Sequence, residues 1–371
     1  MSTIHWIEAQ PCSARWHSET GLPLPRRVVV ADDRMRAGTA YRLACEGTAL
    51  LWRGDFQGAR QLLRAMDRRV GRTAPGPGDT PAGTFHLQRR FRAHRARVLG
   101  KLLVLLEDDH SVALRRAPDV RRACAEAYGP PQGPTAVALT ELLGVIGARQ
   151  WREKGVWVPA LGARVHPHYG VFSPVRGEYV DLVARAPLPG RGARTAFDLG
   201  TGTGVLAAVL ARRGVRRIVA TDVSARARAC ARDTAGRLGL TGTVEVTGPA
   251  LYPDGRADLV VCNPPWLPGR PASDLDLGVY DSGGGMLHGF LAGLAEHLEP
   301  GGEGWLVLSD LAELLGLRTR SGLLTAMEAA GLRVLDRLDT RPRHPRTRDT
   351  GDPLHAARAA EVTSLWRLTT V

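Results

Sequence analysis

The run Thr195-Ala196-Phe197-Asp198-Leu199-Gly200-Thr201-Gly202-Thr203-Gly204-Val205 constrains this chain more than any other. A short apolar run closes on an acid, three glycines alternate with threonines, and an apolar helical pattern begins at Val205, Leu206, Val209 and Leu210. That order reads as strand, tight turn, helix. Alternate glycines let the backbone turn sharply and leave bare main chain for a ligand to rest on. The turn feeds a helix N-terminus, whose unsatisfied N–H groups favour an electron-rich ligand atom. A second strand, Arg217 to Thr221, runs into Asp222, 18 residues after Gly204. A carboxylate there reaches both hydroxyls of a ribose. Val223 follows it at the same strand end. A third apolar run, Ala257 to Cys262, leads into Asn263-Pro264-Pro265-Trp266.

A chain of 371 residues has room for two domains, or for one catalytic domain with a substantial extension. No apolar run approaches the roughly 18 residues needed to cross a bilayer. The opening Met1-Ser2-Thr3-Ile4-His5-Trp6 lacks a charged segment followed by an apolar one, so no secretory signal is expected. The five cysteines are odd in number and scattered, with no Cys-x-x-Cys pair. Neither a disulfide framework nor a zinc ribbon follows, and the cytoplasm is the expected compartment. The net charge of +13 is uneven: residues 1–185 hold 28 basic and 17 acidic side chains, residues 186–371 hold 22 and 20. A basic extension suits an anionic partner such as RNA, an acidic protein or a phosphorylated small molecule. Only two of the cations are lysine, however, and abundant Arg with Ala, Gly and Pro is also what a GC-rich coding sequence produces.

In chain order, Arg26 to Val30 reads as a short strand. Thr39 to Trp52 reads as a helix, Gly54-Asp55 as a break with Asp55 an N-cap, and the stretch through Val70 as a second helix. Gly71 to Gly83 reads as a loop. Leu87, Phe91, His94, Val98 and Leu102 then share one helical face, with Arg89, Arg90, Arg92, Arg95, Arg97 and Lys101 on the others. That face is either an anion-binding surface or simply solvated. Glu107-Asp108-Asp109-His110 ends this helix as a turn, because it lacks metal-ligand partners at fixed spacing. Val137 to Val145 reads as helical. Gly155 to Pro159 and Arg164 to His168 form a hairpin around Gly162, and its His166 and His168 read as exposed residues; no metal site is expected. A turn at Tyr169 to Pro174 precedes a helix with Tyr179, Val180, Leu182 and Val183. From Arg194 onward strands and helices alternate, which means a mostly parallel sheet covered on both faces. Thr243 to Val246 and Trp305 to Leu308 are strands, Gly284 to Leu298 and Gly322 to Ala330 helices. Arg341 to Asp352 is a loop between two final strands, Gly331 to Leu335 and Val362 to Leu368.

The glycine turn, Asp222 and Asn263-Pro264-Pro265-Trp266 together resemble the class I S-adenosylmethionine-dependent methyltransferases. Within them they are similar to the amino-methylating group with an Asn-Pro-Pro-aromatic tetrapeptide, which includes glutamine-amide, rRNA-amine and some DNA methyltransferases. The resemblance runs from about Val171 to the C-terminus. A nicotinamide fingerprint, Gly-x-Gly-x-x-Gly from Gly200, would need its third glycine where Val205 stands, and a dehydrogenase has no use for the tetrapeptide. The resemblance implies an α/β fold: a mostly parallel seven-stranded Rossmann-like methyltransferase sheet, its last two strands antiparallel, over residues 155–371. A mainly helical domain is expected over residues 1–154.

The resemblance also implies S-adenosyl-L-methionine as cofactor, held by Asp198, Gly200, Thr201, Gly202, Gly204, Asp222, Val223 and Asn263. Asp198 would orient the loop or the methionine amine, and Asp222 would bind the ribose. Families of this kind often carry an acid after the third strand for the adenine amine; Gly248-Pro249-Ala250 stands there instead. In those families the tetrapeptide carries the chemistry. Asn263 and the Pro264 carbonyl would accept the hydrogens of a planar NH2 group, Pro265 would stiffen the corner, and Trp266 would stack on the acceptor. Glu178 and Tyr280-Asp281-Ser282-Gly283-Gly284-Gly285 have loose counterparts in the glutamine-methylating enzymes. The expected activity is N-methylation of a planar amide or amine, on a protein glutamine or an rRNA base. A small metabolite is the alternative acceptor, and a non-catalytic cofactor-sensing or RNA-binding protein the alternative of another class.

Overall fold

The computed structural model describes residues 2–190, 192–343 and 349–371. It divides into two compact units, one of Met1–Asp79 with Gly83–Gln150 and one of Thr80–Ala82 with Trp151–Val371.

The first unit is an α/β unit rather than a mainly helical one. Six strands, β1 (Thr3–Ile7), β2 (Pro11–Trp16), β3 (Val28–Ala31), β4 (Ala49–Trp52), β5 (Leu102–Leu106) and β6 (Thr135–Ala138), form one sheet in the order β1-β2-β6-β5-β4-β3. The expected helix over Thr39 to Trp52 is a helix Ala37–Cys45 followed by β4. The expected arginine-rich helix stops at Leu99, short of β5, and the stretch expected to be helical from Val137 begins inside β6. One cause accounts for all three. The runs Ala-Leu-Leu-Trp, Leu-Leu-Val-Leu-Leu and Thr-Ala-Val-Ala are buried on both faces, so they lack the alternation that marks a half-exposed strand and merge with the apolar ends of neighbouring helices. Asp55 caps the helix Phe56–Gly71 by accepting from Gln57 N. The guanidinium of Arg116, hydrogen-bonded to that carboxylate, holds it well below the usual carboxylate range. Glu107 to His110 forms a turn after β5, not after a helix.

In the second unit β7 (Val156–Val158) and β8 (Ala163–Val165) make the expected hairpin around Gly162, whose φ is +59°. Its histidines are not exposed. His166 Nδ1 lies 2.6 Å from the Arg152 carbonyl, and His168 Nε2 3.2 Å from the Asp233 carboxylate. The main sheet comprises β9 (Thr195–Leu199), β10 (Arg217–Thr221), β11 (Val244–Thr247), β12 (Ala257–Cys262), β15 (Leu298–Ser309), β16 (Leu332–Thr340) and β17 (Thr363–Thr370). Between β12 and β15 lie two short strands that pair with each other, β13 (Leu267–Pro268) and β14 (Tyr280–Asp281). The main sheet runs β11-β10-β9-β12-β15-β17-β16. All pairs from β11 to β15 are parallel, and β17 is antiparallel to both β15 and β16.

Both faces of this sheet are apolar, and strict alternation sorts the side chains between them. Ile218, Leu259, Val261, Trp305 and Val307 join the core under the helix Val205–Arg212. Val219, Val260, Cys262, Leu306 and Leu308 join the core under the helix Gly285–His297. Of the expected loop Arg341 to Asp352, residues 344–348 lie outside the described residues; a short helix His355–Ala360 follows it.

Candidate active site

The order of the sheet places a reversal of chain direction beside β9: connections from β9 proceed outward to β10 and β11, and later ones return to β12 on its other side. Crevices at the C-terminal ends of strands at such a point are where α/β sheets take ligands. The second unit has a cavity of about 460 Å³ there, lined among others by Gly200, Gly202, Asp222, Asn263 and Pro265.

The floor is the glycine turn. Gly200, Gly202 and Gly204 all have positive φ, +68°, +54° and +77°. Such values suit glycine alone without strain. Each glycine meets something different. A Cβ on Gly204 would lie 3.0 Å from Ala231 Cα, so this residue serves the approach of two helices and not the cavity. A Cβ on Gly200 would strike the Met286 methyl at 2.3 Å. A Cβ on Gly202 would enter open space. The turn therefore presents bare main chain to the cavity at Gly202 and gives way to a thioether at Gly200. A flat or extended ligand laid across Gly202 meets backbone there, which is the fit a nucleoside-bearing cofactor requires.

Two acids hold the turn in shape. Asp198, 1% exposed, accepts from Thr201 Oγ1 at 2.6 Å and from Ala207 N at 3.0 Å. It supports the loop from behind and is absent from the cavity lining, so of its two expected roles the geometry supplies loop orientation. Burial pushes its carboxyl up to about 6, against the opposing pull of those two hydrogen bonds. Asp222 faces the cavity. Its carboxylate accepts from Gly202 N at 3.0 Å and Ser224 N at 2.8 Å, and burial pushes this group upward too. A carboxylate offers about four lone-pair sites, so two remain for hydroxyls. Thr201 and Val223 also line the cavity, Val223 with 69% of its surface exposed.

Ala250 and Leu251 line the cavity in the segment where an acid was sought. The lining also includes Gly170 to Phe172, Tyr179 and Met286, which no motif announced, and Asp281, from the stretch with a loose counterpart in the glutamine-methylating enzymes. Asp281 accepts from Met286 N at 2.6 Å and so fixes the start of the helix Gly285–His297. Glu178, by contrast, points to Arg176, not into the cavity. The rim is drawn tight where Gly278 meets Phe172, since a Cβ on that glycine would fall 2.8 Å from Phe172 Cβ.

The tetrapeptide divides. Asn263 and Pro265 line the cavity; Pro264 is buried, and neither it nor Trp266 contributes to the lining. The Trp266 indole N–H donates to Asn263 Oδ1 at 2.8 Å. The Arg176 guanidinium sits 4.7 Å from the centre of the Trp266 ring, so one ring face is already covered by a cation. Arg176 is itself fixed, donating to Glu178 and, at 2.9 Å, to the fully buried Glu361, which also accepts from Ser309 Oγ at 2.6 Å. Sequence spacing gives no hint of this brace, because its members come from four separate segments. Among the described residues no group of three or more His, Cys, Asp or Glu side chains is arranged to hold a metal ion, and no helix is long and apolar enough to cross a membrane.

Residues 162–315 match the methyltransferase small domain family. A ribosomal protein L11 methyltransferase of Pelotomaculum thermopropionicum is 36% identical over 38% of this chain and 39% of its own length. A release factor glutamine methyltransferase of Cereibacter sphaeroides is 34% identical over 40% of this chain and 57% of its own. The small-subunit rRNA methyltransferase C of Klebsiella pneumoniae is 35% identical over 29% of each chain. The chain thus spans only about two fifths to three fifths of the first two relatives. Among solved structures, a methyltransferase from Pyrococcus furiosus matches over 62% of this chain and 99% of its own at 18% identity and a TM-score of 0.40. On the sequence matches, residues 162–315 belong to the S-adenosylmethionine-dependent methyltransferases of the methyltransferase small domain family.

Proposed function

We propose that the whole chain is an S-adenosylmethionine-dependent N-methyltransferase, acting on a planar amide or amino nitrogen of a macromolecule, a protein glutamine or an rRNA base. The observation that carries this reading is that Asn263 and Pro265 line the same cavity as Gly202 and Asp222. A cofactor-binding protein without chemistry would need the glycine turn and Asp222 only. The relatives named for L11, release factor glutamine and rRNA support a macromolecular acceptor.

Bound there, the cofactor supplies an electrophilic methyl on a sulfonium centre. The chain's part is to prepare the nitrogen. A planar NH2 group is a poor nucleophile because its lone pair is delocalised. Asn263 Oδ1 has one lone pair engaged by Trp266 and a second available. It would accept one of the N–H hydrogens and turn the nitrogen lone pair toward the methyl carbon; Pro264, outside the lining, supplies no acceptor in this scheme. Positive charge developing on that nitrogen during methyl transfer would be met by the fixed Asn263 oxygen. The proton then leaves for water, so no side-chain base is needed. Trp266 acts in this scheme as the residue that fixes the Asn263 amide, with Arg176 behind it.

The test is incubation of the full chain with methyl-labelled cofactor and ribosomal subunits, release factors and a small-metabolite extract. Label on a protein glutamine or an rRNA amine, lost in Asn263→Ala while the product S-adenosylhomocysteine still binds by calorimetry, is the expected outcome. Tight cofactor binding with no label on any acceptor would leave the reading without support.

A further inference from the structure

Residues 56–101 hold 11 basic and two acidic side chains. The structure resolves this stretch into two helices, Phe56–Gly71 and Pro81–Leu99. In the first, Phe56, Ala59, Leu62, Leu63, Met66 and Val70 are buried. Arg64, Arg68 and Arg72 fall on the opposite side, all exposed, one every four residues. That spacing sets their stems about 6 Å apart along the axis. In the second, His86, Arg90, Ala93 and Arg97 are all exposed, and their spacing of four, three and four residues makes one continuous outward stripe. The helix carries no acid over 19 residues. The lone acid of the first helix, Asp67, is consumed by a two-pronged ion pair with Arg95 at 2.6 and 2.7 Å, which ties the helices to each other. The remaining guanidinium rows are thus left without an acid on either helix to offset them.

The kind of partner follows from what this surface lacks as well as from what it has. Protein interfaces are anchored by exposed aromatic or aliphatic side chains at their centre, and amphipathic helices that lie on membranes need an apolar face turned outward. Among the described residues, none of the large hydrophobic side chains exposed at the surface falls between positions 56 and 101. What remains is a row of forked, always-charged donors without apolar anchors. Guanidinium forks match phosphate oxygens two at a time, and rows of them suit a polymer with a charge on every unit. We infer that the outward faces of the helices Phe56–Gly71 and Pro81–Leu99 dock a nucleic-acid strand through its phosphates. This site is separate from the cofactor cavity and stands whether or not the chain transfers methyl groups.

The test uses the full chain and a fluorescently labelled 20-nucleotide RNA of mixed sequence, with binding followed by anisotropy across a salt series. The reversal R64E/R68E/R90E/R97E is compared with a charge-matched control, R212E/R216E/R256E/R333E, whose positions are exposed in the second unit. Circular dichroism melts establish that both variants fold. Affinity is expected to fall at least about tenfold in the first variant and to stay within about threefold in the control. The slope of log affinity against log salt should lose roughly 0.7 per phosphate contact removed, or about two to three in total. Equal losses in both variants would reduce the effect to net charge and overturn the proposal. So would absence of RNA binding at low salt, or displacement of the RNA by polyglutamate at an equal concentration of charge.

Discussion

Asp198 and Asp222 stand at the ends of adjacent strands, and burial pushes both carboxyls upward, Asp198 to about 6. The consequence for stability has a definite sign. An unfolded aspartate releases its proton near 3.9. Between roughly pH 4 and 6 the folded chain therefore holds more proton at Asp198 than the unfolded chain does, and stability falls as the pH rises through that window. Asp198→Asn has no such slope. The difference in unfolding free energy between the wild type and this variant should shift against the wild type by on the order of 3 kcal/mol from pH 4 to pH 7. Urea melts at the two pH values measure it, and a flat difference would mean an ordinary carboxyl. Asp222→Ala leaves Gly202 N and Ser224 N without their acceptor. Its expected effect is a loss of cofactor affinity of about 10- to 100-fold by calorimetry. Trp266→Phe keeps an aromatic ring for Arg176 and removes the indole N–H together with part of the ring's bulk. Turnover is expected to drop about tenfold, the worth of one hydrogen bond, while affinity for S-adenosylhomocysteine stays within twofold.

At the scale of elements, the glycine turn makes two predictions that part company over four ångströms of space. Gly202→Ala adds a Cβ where nothing lies within 4 Å, so the fold should survive and cofactor affinity fall. Gly204→Ala pushes a Cβ to 3.0 Å from Ala231 Cα, so the helix packing must shift. A cost of about 1–3 kcal/mol is expected for such overpacking, read as a loss of several degrees in melting temperature. The two variants tested together separate a ligand role from a packing role. This turn was legible in the sequence because its requirements are local: positive φ at Gly200, Gly202 and Gly204, and an acid ending the next strand. The same holds for Asp55 as a helix cap and for the hairpin at Gly162. The strand Ala49–Trp52 was not legible, since a short apolar run buried on both faces looks like the tail of the helix before it. Nor were Leu251 and Met286, which come to line the same cavity as the turn through tertiary folding alone. Trp266 was legible as a site residue but not in its hydrogen bond to Asn263 or its cover by Arg176, a partner remote in sequence.

At the scale of the whole molecule, two sheets of six and seven strands each bring their own helices and their own core. Within the second unit, Arg176 binds Glu178 and Glu361 and covers Trp266, so it fastens the segment ahead of one helix to the approach of the last strand. Removing it as Arg176→Ala strands the wholly buried Glu361 without a cation. A loss of about 3–5 kcal/mol is expected, against much less for Arg333→Ala on the exposed edge strand, with melting temperature as the readout. The same brace has a bearing on biogenesis. A nascent polypeptide that has emerged as far as Trp266 already carries every signature by which its chemistry is recognised. Glu361, one of the two carboxylates that seat Arg176 over that indole, has yet to be synthesised. The reacting corner is thus written early and locked late, and a product cut short before the final strand would be recognisable yet unset.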